Sequence, residues 1–314
     1  MIPTKAALDD ALKRVKPLIH RTPVMTSTMI DEICGCKLYF KCDNFQKGGA
    51  YKIRGAINAV LQLSPDQKAQ GVATHSSGNF AQALSLAARS LDIEAYIVMP
   101  ENAPKVKVAA VRNYGGKVIL CPPTLADREA TLKKVISDTG ATAVHPSNDT
   151  QVILGQGTMA LELIDEITGL DFVIAPIGGG GVGAGTCLAC AYHAPSTKVV
   201  GAEPANADDA YRSLQSGEIQ PSIKPDTIAD GLRTQLGDKN FPIIKSMIDE
   251  IVLVSEEKIV EAMRLVWERM KIIIEPSSAT SLAAVMTKPE KFAGKKVGLI
   301  ITGGNVSLDK LPFN

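Results

Sequence analysis

The segment Asp171-Phe-Val-Ile-Ala-Pro-Ile-Gly-Gly-Gly-Gly-Val-Gly-Ala-Gly185 places the tightest constraint on what this chain can become. An apolar run from Phe172 to Ile177 stops at Gly178, Gly179, Gly180 and Gly181, then passes into a small-residue, helix-compatible stretch from Ala184 to His193. Only glycine lets a backbone turn that sharply while presenting several N–H groups to one anion. Between a strand and a helix N-terminus, such a loop forms a phosphate cradle. No Gly-Lys-Ser/Thr follows, which removes the P-loop reading. The spacing Gly178-x-Gly180-x-x-Gly183 fits the dinucleotide fingerprint, as almost any glycine spacing would in so glycine-rich a run. A tight turn that packs helix on sheet stays open at this point. The loop asks for a phosphate-bearing ligand without saying which.

The surrounding pattern is α/β. Val72–His75, Glu94–Met99, Lys117–Cys121 and Ala141–Val144 read as strands, separated by helical stretches over Asn79–Ser90, Lys105–Tyr114 and Leu125–Thr139. This alternation predicts an open parallel sheet covered by helices. A second such region follows. It has a helix over Gly155–Thr168, the strand and glycine loop, a strand at Lys198–Ala202, a Ser255-capped helix to about Met270 and a last buried strand at Lys296–Ile301. The expected organisation is two open twisted parallel-sheet domains: residues 70–145 as a small domain, and 1–69 plus 146–314 as a large one.

Composition removes other classes. A net charge of +1 gives no reason to expect nucleic acid or an anionic membrane as partner. No apolar run approaches a membrane span, and the first ten residues lack a signal-peptide core, so a cytoplasmic protein is expected. The six cysteines are too scattered for a disulfide scaffold. Cys34-Gly-Cys36 and Cys187-Leu-Ala-Cys190 read as buried small hydrophobes rather than ligands.

Four turns at strand or helix ends suggest one shared cleft: Lys47–Gly55, Ser76-Ser-Gly-Asn79, the tetraglycine loop and Thr302-Gly-Gly-Asn305. Lys52 stands out among them, between Tyr51 and Ile53, just before a helix expected from about Arg54. Small, apolar surroundings desolvate an ammonium and lower its pKa, as a lysine that bonds an aldehyde requires. A phosphate cradle with a reactive lysine points to pyridoxal 5'-phosphate, which carries both groups.

Asn44-Phe-Gln-Lys-Gly-Gly-Ala-Tyr-Lys-Ile-Arg-Gly-Ala56, His75-Ser-Ser-Gly-Asn79, Gly155-Gln-Gly-Thr158, Gly178–Gly181 and Thr302-Gly-Gly-Asn305 resemble, in order and over essentially the whole chain, the fold-type II pyridoxal-phosphate enzymes (tryptophan synthase β-like). The resemblance lies in the branch of serine racemases and serine/threonine dehydratases, and Ala202–Asp209 and Ile228-Ala-Asp-Gly231 carry it toward the racemases. It implies that Lys52 bonds the cofactor and serves as base on one face of the substrate Cα, with Ser77 working on the other face. It gives Gly178, Gly179, Gly180 and Gly181 the phosphate and Asn79 the ring's phenolic oxygen. Tyr51 stacks near the ring, and Thr302 meets the ring nitrogen where Ser is common. Ser76, Ser77 and Asn79 bind the substrate carboxylate, while Arg128 and Thr234 occupy substrate-gating positions. Phe80 stands at the mouth of the site where the family has His, and Ser147 replaces an Asn or Phe.

The resemblance further implies a Mg²⁺ (or Ca²⁺/Mn²⁺) held by Glu203, Asp209 and the Ala207 carbonyl, hard oxygen ligands suited to such ions. Lys47, Gln82, Tyr114, Lys271 and Asn305 match a nucleotide site at the dimer interface, where ATP acts as activator; Gly48 departs from that pattern. The implied activity is interconversion of L- and D-serine by a homodimer, with elimination of water from serine to pyruvate and ammonia. The alternative is an ammonia-lyase for L-serine, L-threonine or threo-3-hydroxyaspartate with little racemisation.

Overall fold

Parallel strands buried on both faces set the architecture. The computed structural model describes residues 2–313 and contains ten strands. They are β1 (Val24–Met25), β2 (Lys37–Cys42), β3 (Val72–His75), β4 (Ala95–Pro100), β5 (Lys117–Cys121), β6 (Thr142–Ala143), β7 (Phe172–Pro176), β8 (Lys198–Pro204), β9 (Glu250–Val254) and β10 (Lys296–Ile301). They form a six-stranded sheet ordered β1-β2-β10-β7-β8-β9 and a four-stranded sheet ordered β5-β4-β3-β6. Every pairing is parallel except β1 with β2. All five residues of β7 are buried, because helices cover both faces of a parallel sheet.

One face of the larger sheet packs on helices Glu256–Met270 and Pro276–Thr287, around Phe40, Ile174, Met263 and Leu282. The other packs on helices Thr150–Glu166 and Gly181–His193, around Leu163, Val173 and Leu188. The Lys52–Leu61 helix lies between the sheets. Its Ile53, Ile57 and Val60 join the core of the four-stranded sheet, while its backbone abuts the Thr150–Glu166 helix. That approach is close: a Cβ on Gly155 would stand 2.4 Å from the Arg54 carbonyl oxygen.

Three helices start earlier than the sequence pattern predicts. The Lys52 helix begins at Lys52 itself rather than near Arg54, and the helix after the glycines begins at Gly181, not Ala184. The helix expected from Gly155 starts at Thr150, because the Asp149 carboxylate accepts the N–H groups of Gln151 (2.7 Å) and Val152 (3.1 Å). Ser255 caps its helix as expected. All six cysteines are buried and free.

Candidate active site

Loops leaving the carboxyl ends of β3, β6, β7 and β10 supply the site. The chain entering the Lys52 helix is pinned to the turn after β10: Ala50 bridges Gly303, and the Tyr51 N–H donates to the Thr302 carbonyl at 2.8 Å. Lys52 Nζ donates to the Pro146 carbonyl at 2.9 Å and lies 4.9 Å from the centre of the Tyr51 ring. Burial pulls its pKa down to about 8 against the opposing charge of Glu275. The amine is therefore partly unprotonated near neutral pH. His145 shapes the turn that presents Pro146, its Nδ1 accepting the N–H groups of Ser147 (3.2 Å) and Asn148 (2.8 Å). Burial first, then the charges of His75 and Lys52, bring His145 down to about 4, so it works as a neutral acceptor.

The glycine loop has the form of an anion cradle. Gly180 adopts φ 77°, and a Cβ on Gly179 would stand 2.4 Å from Ser147 Oγ. Neither position has room for a side chain. None of the N–H groups of Gly178, Gly179, Gly180 and Gly181 meets an acceptor among the described residues. Buried N–H groups are almost always paired, and four donors without a partner in the turn that opens a 13-residue helix call for an anion.

Asn79 opens the helix after β3, and its amide donates to both carboxylate oxygens of Glu275 (3.0 and 3.1 Å). The Asn305 amide donates to Asn79 Oδ1 and to the Gly48 carbonyl, each at 2.9 Å. Glu275 stands at the N-cap position of the Pro276–Thr287 helix, its side chain turned to Asn79 rather than to the helix N–H groups; it is 5% exposed and is pushed up to about 7 by burial. The Thr302 hydroxyl shares a 2.8 Å hydrogen bond with Ser278. Sequence reasoning missed Glu275, Ser278 and His145. The run Glu275-Pro-Ser, an acid before a proline at a helix start, was the available signal for the first.

Ser76 and Ser77 lie half-buried in the turn between β3 and the Asn79 helix. Thr234 and Ser147 flank Gly179. Arg128 lies near enough to help burial depress His75, which leads into the Ser76–Ser77 turn. Phe80 follows Asn79 at the start of the same helix; it is 2% exposed and belongs to the core cluster of the four-stranded sheet, as do Ile53 and Leu84.

At the end of β8, Glu203 is fully buried and accepts the N–H groups of Ala210 (2.8 Å) and Tyr211 (2.7 Å); burial pushes it up to about 8. Asp209, pushed up to about 6 by burial, has two buried carboxylate oxygens without a partner. Among the described residues no group of three or more His, Cys, Asp or Glu side chains is placed to hold a metal, so any cation here needs backbone oxygen as well. The five residues matched to a nucleotide site are dispersed in role. Lys47 Nζ is bound to the Leu18 carbonyl (2.7 Å), Gln82 is buried, Tyr114 and Lys271 end helices, and Asn305 is engaged with Asn79.

The sequence profile of the family described as "Pyridoxal-phosphate dependent enzyme" matches residues 15–303. A β-hydroxyaspartate dehydratase of Paracoccus denitrificans (strain Pd 1222) is 51% identical over 100% of this chain and 99% of its own length. A serine racemase of Dictyostelium discoideum is 50% identical over 97% of this chain and 95% of its own. The crystal structure of the Dictyostelium serine racemase superposes with a TM-score of 0.93 at 49% identity, covering 98% of this chain and 100% of that one. The architecture is thus the α/β fold-type II arrangement.

Proposed function

The chain belongs to the pyridoxal-phosphate dependent enzymes, and on that premise we propose that it interconverts L- and D-serine and also eliminates water from serine to give pyruvate and ammonia. The observation that carries the reading is the combination of one half-buried amine at Lys52, bonded only to a carbonyl, with four unpartnered N–H groups at Gly178–Gly181. Those two features fit an aldehyde and a phosphate on one small cofactor. When bound, pyridoxal phosphate supplies an electron-withdrawing ring that loosens the substrate Cα proton. Lys52 then takes or returns that proton on one face, and Ser77 supplies the hydroxyl for the other. Ser76 and the N-terminus of the Asn79 helix orient the substrate carboxylate, and Tyr51 covers the ring. Thr302, already bonded to Ser278, offers a hydroxyl and no carboxylate to a ring nitrogen.

The enzyme works as a cytoplasmic homodimer in this reading. Glu203, Asp209 and the Ala207 carbonyl hold a divalent cation, which the unpartnered Asp209 oxygens and the hard-oxygen donor set fit. ATP activation through Lys47, Gln82, Tyr114, Lys271 and Asn305 belongs to the same reading.

A second reading, dehydration of threo-3-hydroxyaspartate, is favoured by the similarity to the Paracoccus dehydratase and by Arg128, a cation whose charge reaches His75 and which is suited to a second carboxylate. Incubation with L-serine, following D-serine and pyruvate together, and with threo-3-hydroxyaspartate, following oxaloacetate, separates the two. Ser77→Ala is expected to abolish racemisation while retaining part of the elimination from L-serine. D-serine formed at the unsubstituted rate would sink the two-base account.

A further inference from the structure

Asn240 carries no expected role in the sequence, yet it is fully buried and joins three segments around the glycine loop. Its Nδ2 donates to the Gly179 carbonyl at 2.8 Å and to the Ser147 carbonyl at 3.2 Å. Its Oδ1 accepts the Gly237 N–H at 3.0 Å. The amide orientation is fixed by its partners, since two carbonyls require the NH₂ end and an N–H requires the oxygen.

We infer that Asn240 is a positioning residue that holds the Gly179–Gly180 peptide with its N–H turned toward the cofactor phosphate; this rests on the pyridoxal-phosphate reading above. The carbonyl of Gly179 and the N–H of Gly180 share one trans peptide plane and point in opposite directions. Anchoring the carbonyl on Asn240 turns the Gly180 N–H away from it, and that N–H has no acceptor among the described residues. Glycine on both sides of the peptide leaves almost no steric barrier to a flip, which would aim a carbonyl dipole at the anion. The second bond, to Ser147, fixes the segment whose side chain packs against Gly179, so one amide sets both walls of the cradle.

The experiment compares pyridoxal 5'-phosphate with pyridoxal, which lacks only the phosphate, each added to the full-length protein freed of cofactor. Binding is read from the visible absorption of the Lys52 adduct. Asn240→Ala is expected to weaken pyridoxal phosphate by about ten- to a hundredfold while pyridoxal changes less than about twofold. Asn240→Ser, which keeps one hydroxyl donor, recovers part of the loss and serves where the alanine variant fails to fold. Equal weakening of both ligands, or of neither, overturns the inference by showing a general packing role or none. An unsubstituted protein that binds pyridoxal phosphate no better than pyridoxal overturns the phosphate cradle itself, a result distinct from any effect of the variants.

Discussion

Two buried charged regions flank the Lys52 helix, and they treat their charges in opposite ways. On one side, Arg54 donates to Asp43 through Nε (2.5 Å) and Nη2 (2.9 Å), and to Glu162 through Nη1 (2.9 Å) and Nη2 (2.8 Å). Lys41 Nζ adds a 2.6 Å pair with Glu162. Burial works against the charges of Arg54, Lys41 and Glu162. Even so, Asp43 and Glu162 lift Arg54 above its ordinary value, and Arg54 with Lys41 holds the Glu162 carboxyl below its own; only at Lys41 does burial win, lowering it in spite of Glu162. On the other side, Lys52 has only a carbonyl acceptor and Glu275 only amide donors, so burial wins and both move toward neutrality, to about 8 and about 7. Two cations with two anions in contact make a rigid anchor; single ions that touch no counter-ion become groups that exchange protons near neutral pH.

The largest expected effect tests the reactive side. Lys52→Ala should remove the visible absorption of the bound cofactor and lower activity by about 10³-fold or more, without lowering the stability of the cofactor-free chain by more than about 1 kcal/mol. An unchanged absorption band would end the lysine assignment.

Glu162→Ala tests the anchor. It leaves Arg54 and Lys41 with one carboxylate between them, and should cost about 3–5 kcal/mol in chemical denaturation. A loss below about 1 kcal/mol would mean that the two regions do not differ as described.

The smallest effect concerns Glu275. Its folded value, about 7, lies above the ordinary 4.5, so the folded chain keeps a proton that the unfolded chain releases between those values. Stability of the cofactor-free protein should therefore fall as pH rises from about 4.5 to about 7, by on the order of 3 kcal/mol, and level off above. Glu275→Gln should flatten that slope. A slope that survives the substitution assigns it to another group.

Much of this was legible before any coordinates. The glycine loop, Lys52, the Ser76–Asn79 turn and the Thr302–Asn305 turn are local signals, each a few residues long and each at the end of an element whose periodicity the sequence carries. The early start at Thr150 was missed because the expectation began at Gly155 and left out the Asp149 cap, whose carboxylate holds the N–H groups of the first turn. The burial of Phe80 was not legible, because correspondence with a relative's polar residue gives a position and not the packing around it.

The chain order therefore determined the alternating strands and helices, the backbone able to cradle a phosphate, and the one lysine beside it. Only the tertiary structure decided what each of these meets. Pro146 reaches Lys52 across 94 residues, Glu275 reaches Asn79 across 196, and Asn240 reaches Gly179 across 61. A carbonyl, a carboxylate and an amide carry no mark of such partners in their own neighbourhood, because hydrogen bonding at that separation is set by how sheets and helices pack. The same packing lowers Lys52 and raises Glu275: desolvation is a property of the folded surroundings, which no local window of sequence contains.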